Sequence, residues 1–132
     1  MKEINFKSTG PSSRLSQSDG IELAEQGDLL YFTALGGDIL YAVPTAVLRD
    51  RTMTAEQRRS SISVVSRHNV PTDGMLLRQG KLYMADLPEE GLWEFDLQSR
   101  TGRLLETGVP IRWADSFAMA PDGSVYFTTS QI

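Results

Sequence analysis

The sequence contains no cysteine. Disulfides, iron–sulfur clusters and thiolate zinc sites are therefore excluded. It contains one histidine, His68. A Ser–His–Asp triad would need that residue, but no Gly-x-Ser-x-Gly elbow occurs. His68 sits in Arg67-His68-Asn69-Val70-Pro71 and reads as a packing or hydrogen-bonding side chain. Gly-x-Gly-x-x-Gly, Walker A and His-Glu-x-x-His patterns are also missing. A basic excess is missing too: 13 Lys plus Arg stand against 17 Asp plus Glu, for a net charge of −4. The electrostatic footprint of a nucleic-acid binder is not there, and no nucleic-acid partner is expected. The longest apolar run, Leu29–Leu35, is broken by Thr33. It falls far short of the ~20 residues that span a bilayer, so no membrane partner is expected. Residues 1–10 carry no apolar stretch of a secretory leader. Neither Asn5 nor Asn69 begins a glycosylation sequon. None of this fixes a compartment.

What is present is an ordinary globular composition and an internal repeat. The 132 residues are 40% hydrophobic and 23% charged, which argues against global disorder. The length suits one domain, and it suffices to bury a core without staples. Three segments align. Asp19-Gly20-Ile21-Glu22-Leu23 is followed by Leu30-Tyr31-Phe32-Thr33. Asp73-Gly74-Met75-Leu76-Leu77 is followed by Leu82-Tyr83-Met84-Ala85. Asp115-Ser116-Phe117-Ala118-Met119 is followed by Val125-Tyr126-Phe127-Thr128. The aspartates are 54 and 42 residues apart. A period of about 40–50 residues with several strands per unit is the signature of a β-propeller blade.

The pattern predicts strands over 20–25, 28–35, 39–43 and 61–67 in the first unit. The second unit has strands over 75–78, 81–86, 92–96 and 103–107. The third has strands over 116–120 and 124–129, joined by the turn Pro121-Asp122-Gly123. An insertion over 44–60 reads as helical, with Thr54 and Gln57 spaced as a capping box. Its basic residues Arg49, Arg51, Arg58 and Arg59 read as a solvated face rather than a phosphate site. The expected fold is all-β: a single partial propeller of about two and a half to three four-stranded blades, with units near 18–70, 71–110 and 111–132. Residues 3–6 are a candidate for an added strand. Closed propellers have four to eight blades. An open wedge exposes apolar blade faces, which implies a partner. Either two copies close a six-bladed ring by two-fold symmetry, or the chain is a piece of a longer protein.

The run Leu40-Tyr41-Ala42-Val43-Pro44-Thr45-Ala46-Val47-Leu48-Arg49-Asp50 resembles the major royal jelly protein/yellow family. So do Pro71-Thr72-Asp73-Gly74-Met75 and the stretch Arg112-Trp113-Ala114-Asp115-Ser116-Phe117-Ala118-Met119. The resemblance implies a six-bladed propeller, longer than this chain, with a small ligand, aromatic or amine, in its channel. The match falls on later blades. A wider similarity runs to gluconolactonase/regucalcin-type propellers. There the Pro-x-Asp-Gly-Met pattern supplies a metal-ligating aspartate, which here is Asp73. The equivalent place one blade earlier is Asp19. An early-blade glutamate completes the metal site in those enzymes, and this sequence has no such blade.

The candidate site follows from the repeat. Asp19, Asp73 and Asp115 begin the innermost strand of their units, so they ring a channel at one level. Neighbouring carboxylates repel, which raises a pKa or recruits a cation. Oxygen ligands suit Ca²⁺ or Mg²⁺, with Asp19 and Asp73 as the metal pair. Such a cation would polarise a lactone or ester carbonyl. The competing reading makes these residues turn caps that join adjacent blades. Trp113 either lines the channel and stacks on a ligand or packs between blades. Tyr31, Tyr83, Tyr126 and Trp93 read as blade core. Thr33, Asp86 and Thr129 lie on second strands, where alternation allows a channel-facing side chain. Three functions fit: a small-molecule-binding propeller, a metal-dependent lactonase-like hydrolase, and a half-propeller module that serves assembly alone.

Overall fold

The computed structural model describes residues 18–67 and 69–130. His68 and the candidate strand over residues 3–6 lie outside the described residues. Among the described residues, no helix is long and apolar enough to cross a membrane.

Among the described residues, ten strands form three antiparallel sheets. The first holds β1 (Ser18–Leu23), β2 (Leu29–Ala34), β3 (Leu40–Pro44) and β4 (Ser63–Ser66) in sequence order. The second holds β5 (Met75–Arg78), β6 (Lys81–Asp86), β7 (Gly91–Asp96) and β8 (Thr101–Leu105). The third pairs β9 (Ala114–Met119) with β10 (Val125–Thr129). This is the partial propeller that the repeat predicts. The innermost strands β1, β5 and β9 neighbour one another, so the sheets stack side by side as blades.

Turn chemistry sets the registers. β5 and β6 join through Gln79-Gly80, both left-handed at φ 52° and 75°, and Arg78 faces Lys81 across the ladder. Two central residues with positive φ make the turn whose twist matches a hairpin. Asp96 closes the β7–β8 turn by accepting from the amides of Gln98 and Ser99 at 2.9 and 2.8 Å. The helical insertion folds as α1 (Thr45–Arg49) and α2 (Ala55–Ser60). Thr54 and Gln57 cap α2 reciprocally, as their spacing predicts. Thr45 ties the start of α1 to the β1–β2 turn by donating to the Gly27 carbonyl at 2.7 Å.

Each blade has two faces because strand side chains alternate. Pairing puts Met75, Leu77, Leu82, Met84 and Phe95 on one face of the second blade. That face packs on Tyr31, Leu40 and Ala42 of the first blade to form one core. The opposite face of the second blade presents Ala85 and Leu92. It packs with Ala114, Phe117 and Phe127 of the third to form another. Blade-to-blade burial therefore supplies most of the hydrophobic stabilisation. Trp93 lies on the first of these faces against Gly102, where a Cβ would collide with the indole. Glu94, buried on the other face, accepts from Lys81 Nζ at 3.1 Å and Arg103 Nε at 3.0 Å, linking β6, β7 and β8. Burial pushes its carboxyl up, but these two bonds and cationic charges outweigh that and hold it below its usual value. Tyr31 belongs to the core, Tyr83 is half-buried, and Tyr126 is 62% exposed. The expectation of a buried Tyr126 is corrected: no described sheet covers its side of β10.

Candidate functional site

Two glycines bring the blades together at the axis. Gly20 and Gly74 each follow an aspartate at the start of an inner strand. A Cβ at Gly20 would lie 3.0 Å from the Asp73 carbonyl oxygen of the next blade. A Cβ at Gly74 would fall on the Asp115 carbonyl oxygen of the blade after it. Neither glycine has a left-handed φ, so space alone demands the missing side chain. This close approach carries Asp19, Asp73 and Asp115 to one cavity of about 280 Å³. Two residues further along each strand, Ile21, Met75 and Phe117 line the same cavity. The site is therefore an acidic mouth over an apolar floor.

The carboxyl groups interact unequally. Asp19 is raised above its ordinary value by burial, then by the charges of Asp73 and Asp115, then by a hydrogen bond with Asp73. Asp19 keeps much of its surface in solvent, which limits the size of that shift. Asp73 Oδ2 also accepts from Trp113 Nε1 at 2.7 Å. The Asp73 carboxylate thus lies between Asp19 and the indole N–H. Trp113 has φ 49°, a conformation that bulky side chains rarely adopt. Its carbonyl accepts from Ser130 at 3.0 Å. These bonds hold the indole beside the acidic mouth. Trp113 packs in the core between the second and third blades and reaches the site through Asp73, without lining the cavity itself.

A raised carboxyl contributes stability that is present below its unfolded pKa and lost as pH rises through its folded value. For Asp19 that window opens near the ordinary carboxylate value of 3.8 and extends upward. Asp19→Asn should therefore raise the melting temperature at pH 7 by roughly 2 °C. The gain should vanish below about pH 4, and thermal denaturation across pH 3–8 reads it.

Among the described residues, no set of three or more His, Cys, Asp or Glu side chains is arranged to hold a metal ion. Asp19 and Asp73 line the same cavity, and the Asp73 charge adds to burial in raising the Asp19 carboxyl. The second-strand candidates are elsewhere. Thr33 is fully buried and donates to the Ile39 carbonyl at 2.9 Å. Asp86 is 4% exposed, accepts from the Glu89 amide at 3.2 Å, and is pushed up by burial and the Glu89 charge. Thr129 is exposed on β10. None of the three lines the cavity. The arginines of the insertion behave as surface residues: Arg59 pairs with Glu56 at 3.7 Å, and Arg58 donates to the Asp50 carbonyl at 2.6 Å. The Asp73–Trp113 bond was not readable in the sequence, since 40 residues separate its partners. The recurrence of Asp-Gly was the signal for the close approach.

No protein-family model and no curated protein sequence matches the chain. Solved structures do. Hydrazine synthase of Kuenenia stuttgartiensis superposes with a TM-score of 0.62 at 16% identity, over 94% of this chain and 32% of that one. Virginiamycin B lyase of Staphylococcus aureus gives 0.58 at 9% identity, over 86% of this chain and 34% of that one. The extracellular domain of a putative one-component system from B. thetaiotaomicron gives 0.56 at 17%, over 95% and 15%. At these identities the likeness shows the fold alone, and that fold is a β-propeller. The chain spans about a third or less of the chains it matches.

Proposed function

We propose that this chain supplies the acidic mouth of a β-propeller that binds a small organic amine, in the manner of the royal jelly/yellow family that its Leu40–Asp50 and Pro71–Met75 stretches resemble. The observation that carries the reading is the convergence of Asp19, Asp73 and Asp115 over Ile21, Met75 and Phe117 in one cavity. Carboxylates attract an ammonium group and accept its hydrogen bonds. An apolar floor that includes the Phe117 ring accommodates the apolar part of such a ligand. The mutual repulsion of Asp19 and Asp73, which adds to burial in raising Asp19, is what a cationic head would relieve.

That same pair supports a second reading, a Ca²⁺- or Mg²⁺-dependent lactonase-like hydrolase. A divalent cation would offset the repulsion between the two carboxylates, and further oxygen ligands would have to come from water or from other blades. One titration separates the readings. Tyramine and CaCl₂ are added separately to the purified chain, and binding is followed by calorimetry and thermal shift. The amine reading expects saturable tyramine binding that Asp73→Asn weakens by about 10–100-fold, the loss of one charge-assisted bond. Saturable Ca²⁺ binding with no tyramine binding would favour the hydrolase. Silence to both at 10 mM (roughly the weakest specific range) would sink both.

A further inference from the structure

The outward face of the first blade is apolar and, among the described residues, largely uncovered. Ile21, Leu23, Leu30, Phe32, Tyr41 and Val64 share it through the β1–β4 registers. Ile21 and Leu23 are 58% and 51% exposed. Between this face and the α1–α2 insertion runs a groove of about 390 Å³, floored by Ile21, Leu30, Phe32 and Val43. Single exposed apolar residues need no explanation, but a contiguous face of this kind marks an interaction site.

The repeat says what fits it. Ile21, Leu23, Leu30, Phe32 and Val43 occupy the positions that Met75, Leu77, Leu82, Met84 and Phe95 occupy in the second blade. In the second blade that face is buried, and what buries it is the back of the preceding blade, through Tyr31 and Ala42. The complement of the open face is therefore another blade's back. The chain carries one uncovered back among the described residues. It is the side of β9–β10 that presents Ser116, Ala118, Tyr126 and Thr128, all exposed. Tyr126 there repeats Tyr31 and Tyr83.

We propose that the outward face of β1–β4 receives the β9–β10 back of a second copy of this chain, so that copies join head to tail. Two such junctions close a two-fold ring. Charge agrees with this pairing. Arg58 and Arg59 line the groove at the end of the first blade that carries α1–α2. The β9–β10 turn, with Asp122 at its tip, lies at the same end of its own blade, opposite Asp115. Ser116 stands where Gly20 and Gly74 stand, so the copies meet at the axis with a wider gap than β5 and β9 do.

The test is solution mass by light scattering and sedimentation, from about 5 to 200 µM, a range that brackets micromolar association. The wild-type chain is expected at twice 14.6 kDa. Leu23→Lys alters the front and Tyr126→Lys the back. Both residues are exposed, so folding is retained and circular dichroism checks it. Each variant alone should weaken self-association at least about tenfold. An equimolar mixture of the two restores one intact junction and should give a complex containing one of each. Val64→Lys and Ala118→Lys form a second pair if either variant fails to fold. A wild-type monomer throughout this range overturns the proposal. So does a dimer that neither variant weakens, and so does a mixture that restores nothing, which would mean that like faces meet.

Discussion

Gly74→Ala lowers the melting temperature by more than about 10 °C, or leaves no folded chain. The added Cβ falls on the Asp115 carbonyl oxygen, which is backbone and cannot rotate away. The second and third blades must separate at the axis, opening the core of Ala85, Leu92 and Ala114. Overpacking against main chain costs about 3 kcal/mol or more, and about 4 °C per kcal/mol follows for a chain of this length. Two other glycines calibrate the result. Gly20→Ala meets the Asp73 carbonyl at 3.0 Å and the flexible end of Met75 at 3.2 Å, so it should lose less than half as much. Gly36→Ala meets nothing within 4 Å and should be close to neutral. Differential scanning calorimetry of the three variants orders them. Equal losses at positions 36 and 74 would show that the axial contact is not the cause.

Phe95→Ala is the second large effect. Phe95 is 1% exposed and lies on the face that joins the first two blades. Its removal leaves a cavity among Leu77, Leu82 and Leu40, rigid surroundings that collapse poorly. The expected loss is about 3–5 kcal/mol in urea denaturation. Leu104→Ala in the same blade, 47% exposed, should lose under about 1 kcal/mol. A small effect at Phe95 would mean that the blades do not share a packed core.

Much of this architecture is legible in the sequence because it repeats. An Asp (followed by Gly in the first two units), then a Tyr about ten residues on, places an inner strand and its neighbour three times over. The turns Gln79-Gly80 and Pro121-Asp122-Gly123 mark hairpins through local chemistry alone. Strand ends move by a few residues: β1 begins at Ser18 rather than 20, and β8 begins at Thr101 rather than 103. Such ends depend on ladder bonds with neighbours that local pattern does not encode. The aspartates meet as the repeat requires, since equivalent positions of adjacent blades lie at one level.

What periodicity cannot show is a contact between non-equivalent positions. Trp113 Nε1 on Asp73 is one, made by a residue just before β9 with one at the start of the second unit. The Lys81–Glu94–Arg103 cluster is another. Its glutamate lies on the face that Tyr83 marks, so an exact ladder register was needed to see it. Tyr126 shows the opposite hazard. Its repeat position reads as core, and its exposure depends on which blades surround it.

The two indoles also differ in a way that makes the chain its own spectroscopic probe. Trp93 lies flat on Gly102 with a buried Nε1 that has no hydrogen-bond partner among the described residues. Trp113 gives its Nε1 to a carboxylate at the acidic mouth. With two tryptophans in the whole sequence, Trp93→Phe leaves a single emitter next to the site. Its quenching and emission wavelength then track ligand entry at the acidic mouth. Trp113→Phe leaves an emitter inside the second blade that is indifferent to ligand entry and reports only whether that blade is intact.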